Sequence, residues 1–277
     1  MENLLIEWAS WQRAAGLSER TITERASCVR TLYGLATNEA ATLTRRDVLR
    51  FLGRRDLRPA TRATYYSTLT VFFKWCIVAG HRLDSPMEGL AAPKRPRGVP
   101  QPVTGGNMLR LLQVLNRRKT RAMVFLTMYA GLRVHEVAKI RGEDFDLHER
   151  TLRLTGKGGK VAVLPLHDEL ATLAKIMPAQ GWWFPANEGR DDCVTPHAVS
   201  RAIGRAMHRA GFEGHAHQLR HWFGSELRRK KVDLRTAQEL LRHSNLASTQ
   251  IYTLVNDDAR RDGIDAISAP SAARQAA

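Results

Sequence analysis

Six residues able to act on a phosphodiester occur along the chain in the order Arg133, Lys157, His217, Arg220, His243 and Tyr252. Breaking that bond without a metal requires three things. A nucleophile must attack phosphorus, cations must neutralise charge growing on the non-bridging oxygens, and an acid must protonate the departing 5′ oxygen. Tyr252 is the candidate nucleophile. A free phenol has a pKa of about 10, so nearby arginines and a histidine must favour its ionisation as it attacks. Arg133 and Arg220 are candidate phosphate clamps, because the guanidinium fork matches phosphate oxygens. Lys157 is the candidate acid, with Lys160 competing for the role. His217 would take the phenol proton or assist the leaving group, and His243 would hydrogen-bond the phosphate.

Each of these has a plainer reading when taken alone. Tyr252 would be a helix core residue, Arg133 the partner of Glu136, Arg220 a surface arginine, Lys157 a solvated turn residue, and the histidines structural. His215 and His221 stand near His217 and raise a zinc site. No cysteine or second ligand pair lies close enough in sequence to support one, so neither a metal nor any other cofactor is expected.

The elements that must position these residues are mainly helical. Leu4, Leu5, Trp8 and Trp11 recur at helical spacing until Gly16. Ser18 can cap a second helix whose apolar face carries Ile22, Ala26, Val29 and Tyr33. Thr44 with Asp47 resembles a capping box, aspartate replacing glutamate, ahead of Val48, Leu49, Phe51 and Leu52. Pro59 suits the first turn of a fourth helix presenting Tyr65, Leu69, Phe72, Phe73, Cys76 and Ile77 before Gly80. Residues 91–102 hold four prolines and the basic Lys94, Arg95 and Arg97, which predicts a linker able to lie along DNA backbone. Beyond it, helical patterns run over about 105–116, 119–131, 168–177, 196–210, 217–230, 234–242 and 247–254. Gly131 lets the chain turn into a further helix after Arg133. Period-two alternation on both sides of the glycines at 156, 158 and 159 predicts a β-hairpin with Lys157 at its tip. His217 and Arg220, three residues apart, are expected on one helical face.

Charge points the same way. The chain carries 43 Lys and Arg against 27 Asp and Glu, a formal charge of +16. Residues 1–102 alone hold 16 against 9, so both parts are basic and a polyanion is the expected partner. Arg45, Arg46, Arg50, Arg54, Arg55, Arg58 and Arg62 cluster around the third helix and the start of the fourth. They form a candidate phosphate-contacting face, to which Lys94, Arg95 and Arg97 add. No run of apolar residues is long enough to span a membrane, the start of the chain lacks a signal-peptide pattern, and the three cysteines form no CxxC pair. A cytoplasmic protein with reduced thiols is expected.

Four stretches taken together carry a resemblance. Leu240 to Tyr252, with nine residues from His243 to Tyr252, resembles the last catalytic motif of the tyrosine recombinases of the phage-integrase and Xer type. Gly131-Leu-Arg133 followed by Glu136 resembles their first arginine motif. Thr155-Gly-Lys157-Gly-Gly-Lys160 looks like their hairpin lysine motif, and His217-Gln-Leu-Arg220-His221 matches their HxxR motif. The resemblance implies a fold that is mainly α with a small antiparallel β-sheet. Residues 1–90 would form a helical core-binding (SAM-like) domain, 91–102 the linker, and 103–277 the catalytic domain with a C-terminal tail. It also implies a 3′-phosphotyrosyl link at Tyr252, double-stranded DNA core sites as partner, and a homotetramer on two duplexes passing through a Holliday junction. An accessory directionality protein would fit the same scheme. After the nucleophile, about Asn256 to Ile264 would dock on a neighbouring protomer. The chain is short for the additional arm-binding domain of many phage integrases, which favours a compact integrase or an Xer-like protein.

Two positions depart from the pattern: Arg242 replaces the usual glycine before the motif histidine, and His135 the common serine after the first arginine. Three rivals share parts of this chemistry: a type IB topoisomerase, a DNA-binding protein of the same fold without catalysis, and a metal-dependent nuclease.

Overall fold

A computed structural model describes residues 1–35, 43–95, 101–155, 161–186 and 192–242. The chain divides into two compact units, Met1–Gly98 and Val99–Ala277. The break falls within the proline-rich segment 91–102.

In the first unit, α1 (Glu2–Ala14), α2 (Glu19–Leu35), α3 (Arg45–Leu52) and α4 (Pro59–Val78) follow in order. Their ends follow the local chemistry. Gly16, at φ 75°, turns the chain after α1, and the Ser18 hydroxyl accepts the Thr21 amide at 3.3 Å. Thr44 and Asp47 form the expected reciprocal capping box on α3. Gly80, at φ 78°, ends α4. α2 packs on α1, α3 and α4, enclosing Leu5, Trp8, Val29, Leu32, Phe51, Leu69, Phe72 and Phe73. Trp8 meets Phe72 edge to face at 4.9 Å, the arrangement ring quadrupoles prefer. Trp11 and Ile77, counted on apolar faces from their spacing, are instead exposed.

The second unit is built around α6 (Arg118–Tyr129), whose residues Ala122 to Met128 are all buried. A helix apolar on every side must be covered on every side. α10 (Ala216–Arg229), α8 (Asp168–Ala174) and α9 (Pro196–Arg209) do so, while α5 (Gly105–Gln113) packs on α9. α7 (Val134–Ala138) packs on α6 and α9, and α11 (Leu234–Leu241) on α10. Thr104, Thr195 and Asp233 cap α5, α9 and α11 with side-chain oxygens, satisfying amides that have no partner inside the helix. A three-stranded antiparallel sheet runs β1 (Phe145–Asp146), β2 (Thr151–Thr155), β3 (Val161–Pro165) in that order. Leu152 pairs with Leu164, both buried, and Arg153 with Val163, both exposed, so one face alone covers the core. Among the described residues no helix is long and apolar enough to cross a membrane.

Candidate active site

The site is organised by the turn between α6 and α7. Leu126 O accepts the amides of Ala130 and Leu132 at 3.3 Å, closing α6. Gly131 sits at φ 59°, and a Cβ there would lie 2.5 Å from the Phe223 ring. The backbone conformation favours glycine, and any side chain there would have to displace the Phe223 ring. The turn leaves Arg133 as the residue before α7, in extended conformation. Glu136, in the first turn of α7, reaches back to it. Its Oε2 accepts the Arg133 amide at 2.7 Å and its Oε1 accepts the Arg133 guanidinium at 3.2 Å. The ion pair expected from sequence therefore exists, yet the Arg133 side chain stays 33% exposed against 11% for Glu136.

Arg220 approaches the same turn from α10. Its guanidinium donates to the carbonyls of Gly131 and Leu241, and the residue is 1% exposed. It is thus no surface arginine. It ties α10 to both the Gly131 turn and the end of α11. His217, one turn earlier, is exposed, so the two residues share a flank of the helix but not the same depth. The His217 and His221 rings meet edge to face at 4.4 Å. Although His217 reaches solvent, crowding by its neighbours strips part of its solvation, and with the charges of Arg220, His215 and Arg133 this holds its pKa below the ordinary value. Desolvation and the neighbouring His217 lower that of His221 to about 4. Partial loss of solvation likewise lowers the pKa of His135, although the residue reaches solvent. A neutral imidazole is the form that can accept a proton. Among the described residues no group of three His, Cys, Asp or Glu side chains is placed to hold a metal ion.

The structure thus brings Arg133, His217 and Arg220 together. Lys157, its competitor Lys160, His243, Tyr252, the helical pattern 247–254 and the tail 256–264 lie outside the described residues. Sequence reasoning foresaw Glu136 only as a partner of Arg133 and gave Arg242 no partner within the fold. Arg242 donates to Glu136 and to the carbonyls of Ala130, Gly131 and Leu240.

On the first unit the basic face divides. Arg62 donates to the carbonyls of Leu52, Arg54 and Leu57, and Arg54 lies over the Phe51 ring at 4.7 Å. These two hold the α3–α4 corner. Arg50 pairs with Asp47 and the Leu35 carbonyl, and Arg45 reaches Gly89 O at 3.3 Å. Arg45, Arg46, Lys94 and Arg95 are exposed, and Arg97 lies outside the described residues. A groove of about 690 Å³ along α2 and α4 was not anticipated. Thr21, Arg25, Ser27, Thr64, Ser67 and Arg95 are among the residues lining it. Hydroxyls and cations of this kind suit a nucleic-acid surface. The signal in the sequence was the Thr and Ser residues recurring at helical spacing opposite the apolar stripe.

A helical unit carrying a small sheet, whose Gly131 turn leads into Arg133 and accepts the Arg220 guanidinium, is the arrangement expected of the phage-integrase catalytic fold. The sequence profile of the phage integrase family matches residues 102–259, and the chain belongs to that family. Tyrosine recombinase XerC of Xanthomonas campestris pv. campestris (strain B100) is 32% identical over 212 residues, covering 72% of this chain and 65% of that protein. The match thus spans just under two thirds of that relative's length. An integrase from mycobacterium phage Brujita is 43% identical in solved structure, with a TM-score of 0.52 over 95% of this chain and 91% of that one. A lambda integrase tetramer bound to a Holliday junction superposes with a TM-score of 0.70 at 20% identity, over 88% and 77% of the two chains. That last likeness is one of fold.

Proposed function

We propose that the chain is a site-specific DNA recombinase that cuts and rejoins duplex core sites through a 3′-phosphotyrosyl link at Tyr252. The supporting observation is the Gly131 turn, which leads directly into Arg133 and accepts the Arg220 guanidinium, in a family member that also carries the His243–Tyr252 motif. In this reading the arginines stabilise charge on the phosphate, His217 takes the phenol proton, Lys157 protonates the leaving 5′ oxygen, and His243 bonds a non-bridging oxygen. The phosphotyrosine conserves the energy of the broken bond, so rejoining needs neither ATP nor a metal. Strand exchange uses four protomers on two duplexes and passes through a Holliday junction, the species to which the lambda integrase tetramer is bound. An accessory protein would set direction, and the reaction would take place in the cytoplasm. Residues 1–90 act as the core-binding domain, and 103–277 as the catalytic domain and tail, joined by 91–102. The α2–α4 groove together with Arg45, Arg46, Arg50, Lys94, Arg95 and Arg97 supplies contacts to DNA.

The deciding experiment is covalent trapping on nicked duplexes from candidate element ends, in excess chelator, resolved on denaturing gels. A protein–DNA adduct mapping to Tyr252 is expected. Bound but uncleaved DNA would instead indicate a non-catalytic relative, and cleavage abolished by chelator a nuclease. Junction formation confined to particular sites separates recombinase from topoisomerase.

Two further outcomes follow from charge. The net charge of +16 predicts an affinity for duplex that falls steeply and linearly on logarithmic axes as salt rises, because each neutralised phosphate releases counterions. A flat response would contradict an extensive phosphate interface. For His217, the lowered pKa leaves the ring neutral near pH 7 and its ability to accept a proton is lost only as pH falls through that lowered value. Single-turnover cleavage should therefore show an acid limb centred below the ordinary 6.5. A limb above it, or none that depends on His217, would remove the ring from proton transfer.

A further inference from the structure

α11 ends on Arg242 at φ 52°, ψ 45°, the left-handed region. That conformation suits glycine, the residue common at this position in the resembled family, and is disfavoured for a side chain with a Cβ. The Arg242 backbone amide still caps the helix by donating to Gln238 O and Glu239 O. What glycine could not supply is the guanidinium. It folds back under the turn, 12% exposed. Nη1 donates to Leu240 O at 2.9 Å and Ala130 O at 3.3 Å. Nη2 donates to Gly131 O at 3.2 Å and Glu136 Oε2 at 3.0 Å.

Glu136 is thereby divided between two arginines. It accepts the amide and guanidinium of Arg133 and the guanidinium of Arg242. Burial alone would raise its pKa, but the charge of Arg242 and the bonds from Arg133 hold it below the usual carboxylate range, so it stays ionised. One negative charge then faces two positive ones. Arg220 shares the Gly131 carbonyl with Arg242, so among the described residues the cluster is net positive, and Arg133 is its most exposed arginine. With glycine at 242 the same carboxylate would belong to Arg133 alone, giving a neutral pair that an incoming phosphate must first open.

We propose that Arg242 is a positioning residue that shares Glu136 with Arg133, and so keeps the Arg133 guanidinium available to the scissile phosphate. The proposal rests on the recombinase reading for its consequence in catalysis, and on the geometry alone for its consequence in phosphate binding.

The test is Arg242→Gly in the full chain, a substitution the left-handed turn accommodates. With duplex saturated, the rate of adduct formation should fall about 10- to 100-fold, the scale on which a misplaced reacting group acts. Adding Glu136→Gln to that variant should restore much of the rate, because the amide still accepts the Arg133 backbone N–H but no longer holds its guanidinium by charge. An unchanged rate in Arg242→Gly, or a double variant slower than the single one, overturns the proposal. A purely structural cap predicts the latter. In the same proteins, the Arg133 Nε–H resonance is followed as inorganic phosphate is added. Phosphate should titrate it at several-fold lower concentration in the wild type than in Arg242→Gly, and equal midpoints also overturn the proposal. If the wild type forms no adduct, the recombinase reading fails by itself, and the phosphate titration still decides the role of Arg242.

Discussion

Tyr252→Phe is expected to bind core-site duplex as tightly as the wild type and to form no covalent adduct. The substitution removes one oxygen and leaves the ring. Affinity for DNA is dominated by many phosphate contacts from a chain of charge +16, and a single phenol hydroxyl contributes little to that sum. Chemistry has no such reserve. With the nucleophile gone, only water remains to attack, and losses of roughly 10⁴-fold or more are the scale on which nucleophile deletion acts. The measurement is the trapping assay with matched protein occupancy, which separates lost binding from lost cleavage. A protein-linked product from Tyr252→Phe would show that another residue carries the bond, and the motif from His243 to Tyr252 would then have been misassigned. Retained affinity with no adduct in this variant alone, chelator present throughout, would instead place metal-free covalent chemistry at Tyr252.

Much of the scaffold was legible because its signals are local. The Thr44–Asp47 capping box, Pro59 at a helix start and Gly16 and Gly80 at helix ends each act within a few residues, and each appears where the sequence places it. The alternation around the hairpin gave β2 and β3 for the same reason. β1, two residues long, is too short to show any period. The short ladder joining Ile140–Gly142 to Gly181–Trp183 pairs segments about forty residues apart and has no local mark either. For the site, spacing showed that His217 and Arg220 are neighbours on α10, but not which of them faces inward. That depends on α11 and the Gly131 turn closing over the helix, contacts remote in sequence. Arginine is the residue type for which this matters most, because a charge at that depth is tolerated only when every donor direction finds an acceptor. The same limit applies to Arg54 and Arg62, which look like part of a phosphate-contacting face from composition and are engaged by Phe51 and by three carbonyls. Arg242 is the converse case. Its departure from a glycine was visible in the sequence, while its reach to Glu136 required the fold.

The depth of Arg220 separates the two arginine variants, which sequence alone would treat as equivalent. Arg133→Ala removes a side chain one third exposed and leaves Glu136 paired with Arg242. Thermal stability should change little, while cleavage falls by about 10²–10³-fold, the usual loss on deleting one preorganised donor to a charged transition state. Arg220→Ala should fail in both respects. It strips the guanidinium from the carbonyls of Gly131 and Leu241 and opens a void at a residue 1% exposed. Gly131 O keeps the Arg242 guanidinium, so the loss is that of the donor to Leu241 O together with the void left behind, about 3 kcal/mol in sum. In a unit of this size that lowers the melting temperature by about 6–12 °C. Cleavage should fall at least as far as in Arg133→Ala, because the Gly131 turn that aims Arg133 loses the bond holding it to α10. Melting curves of the two variants, read beside their single-turnover cleavage rates, check this. Equal melting temperatures for wild type and Arg220→Ala would mean that the buried bonds contribute nothing net to the fold. Arg220 would then be held at that depth by the demands of catalysis alone, with its desolvation offsetting whatever its hydrogen bonds gain.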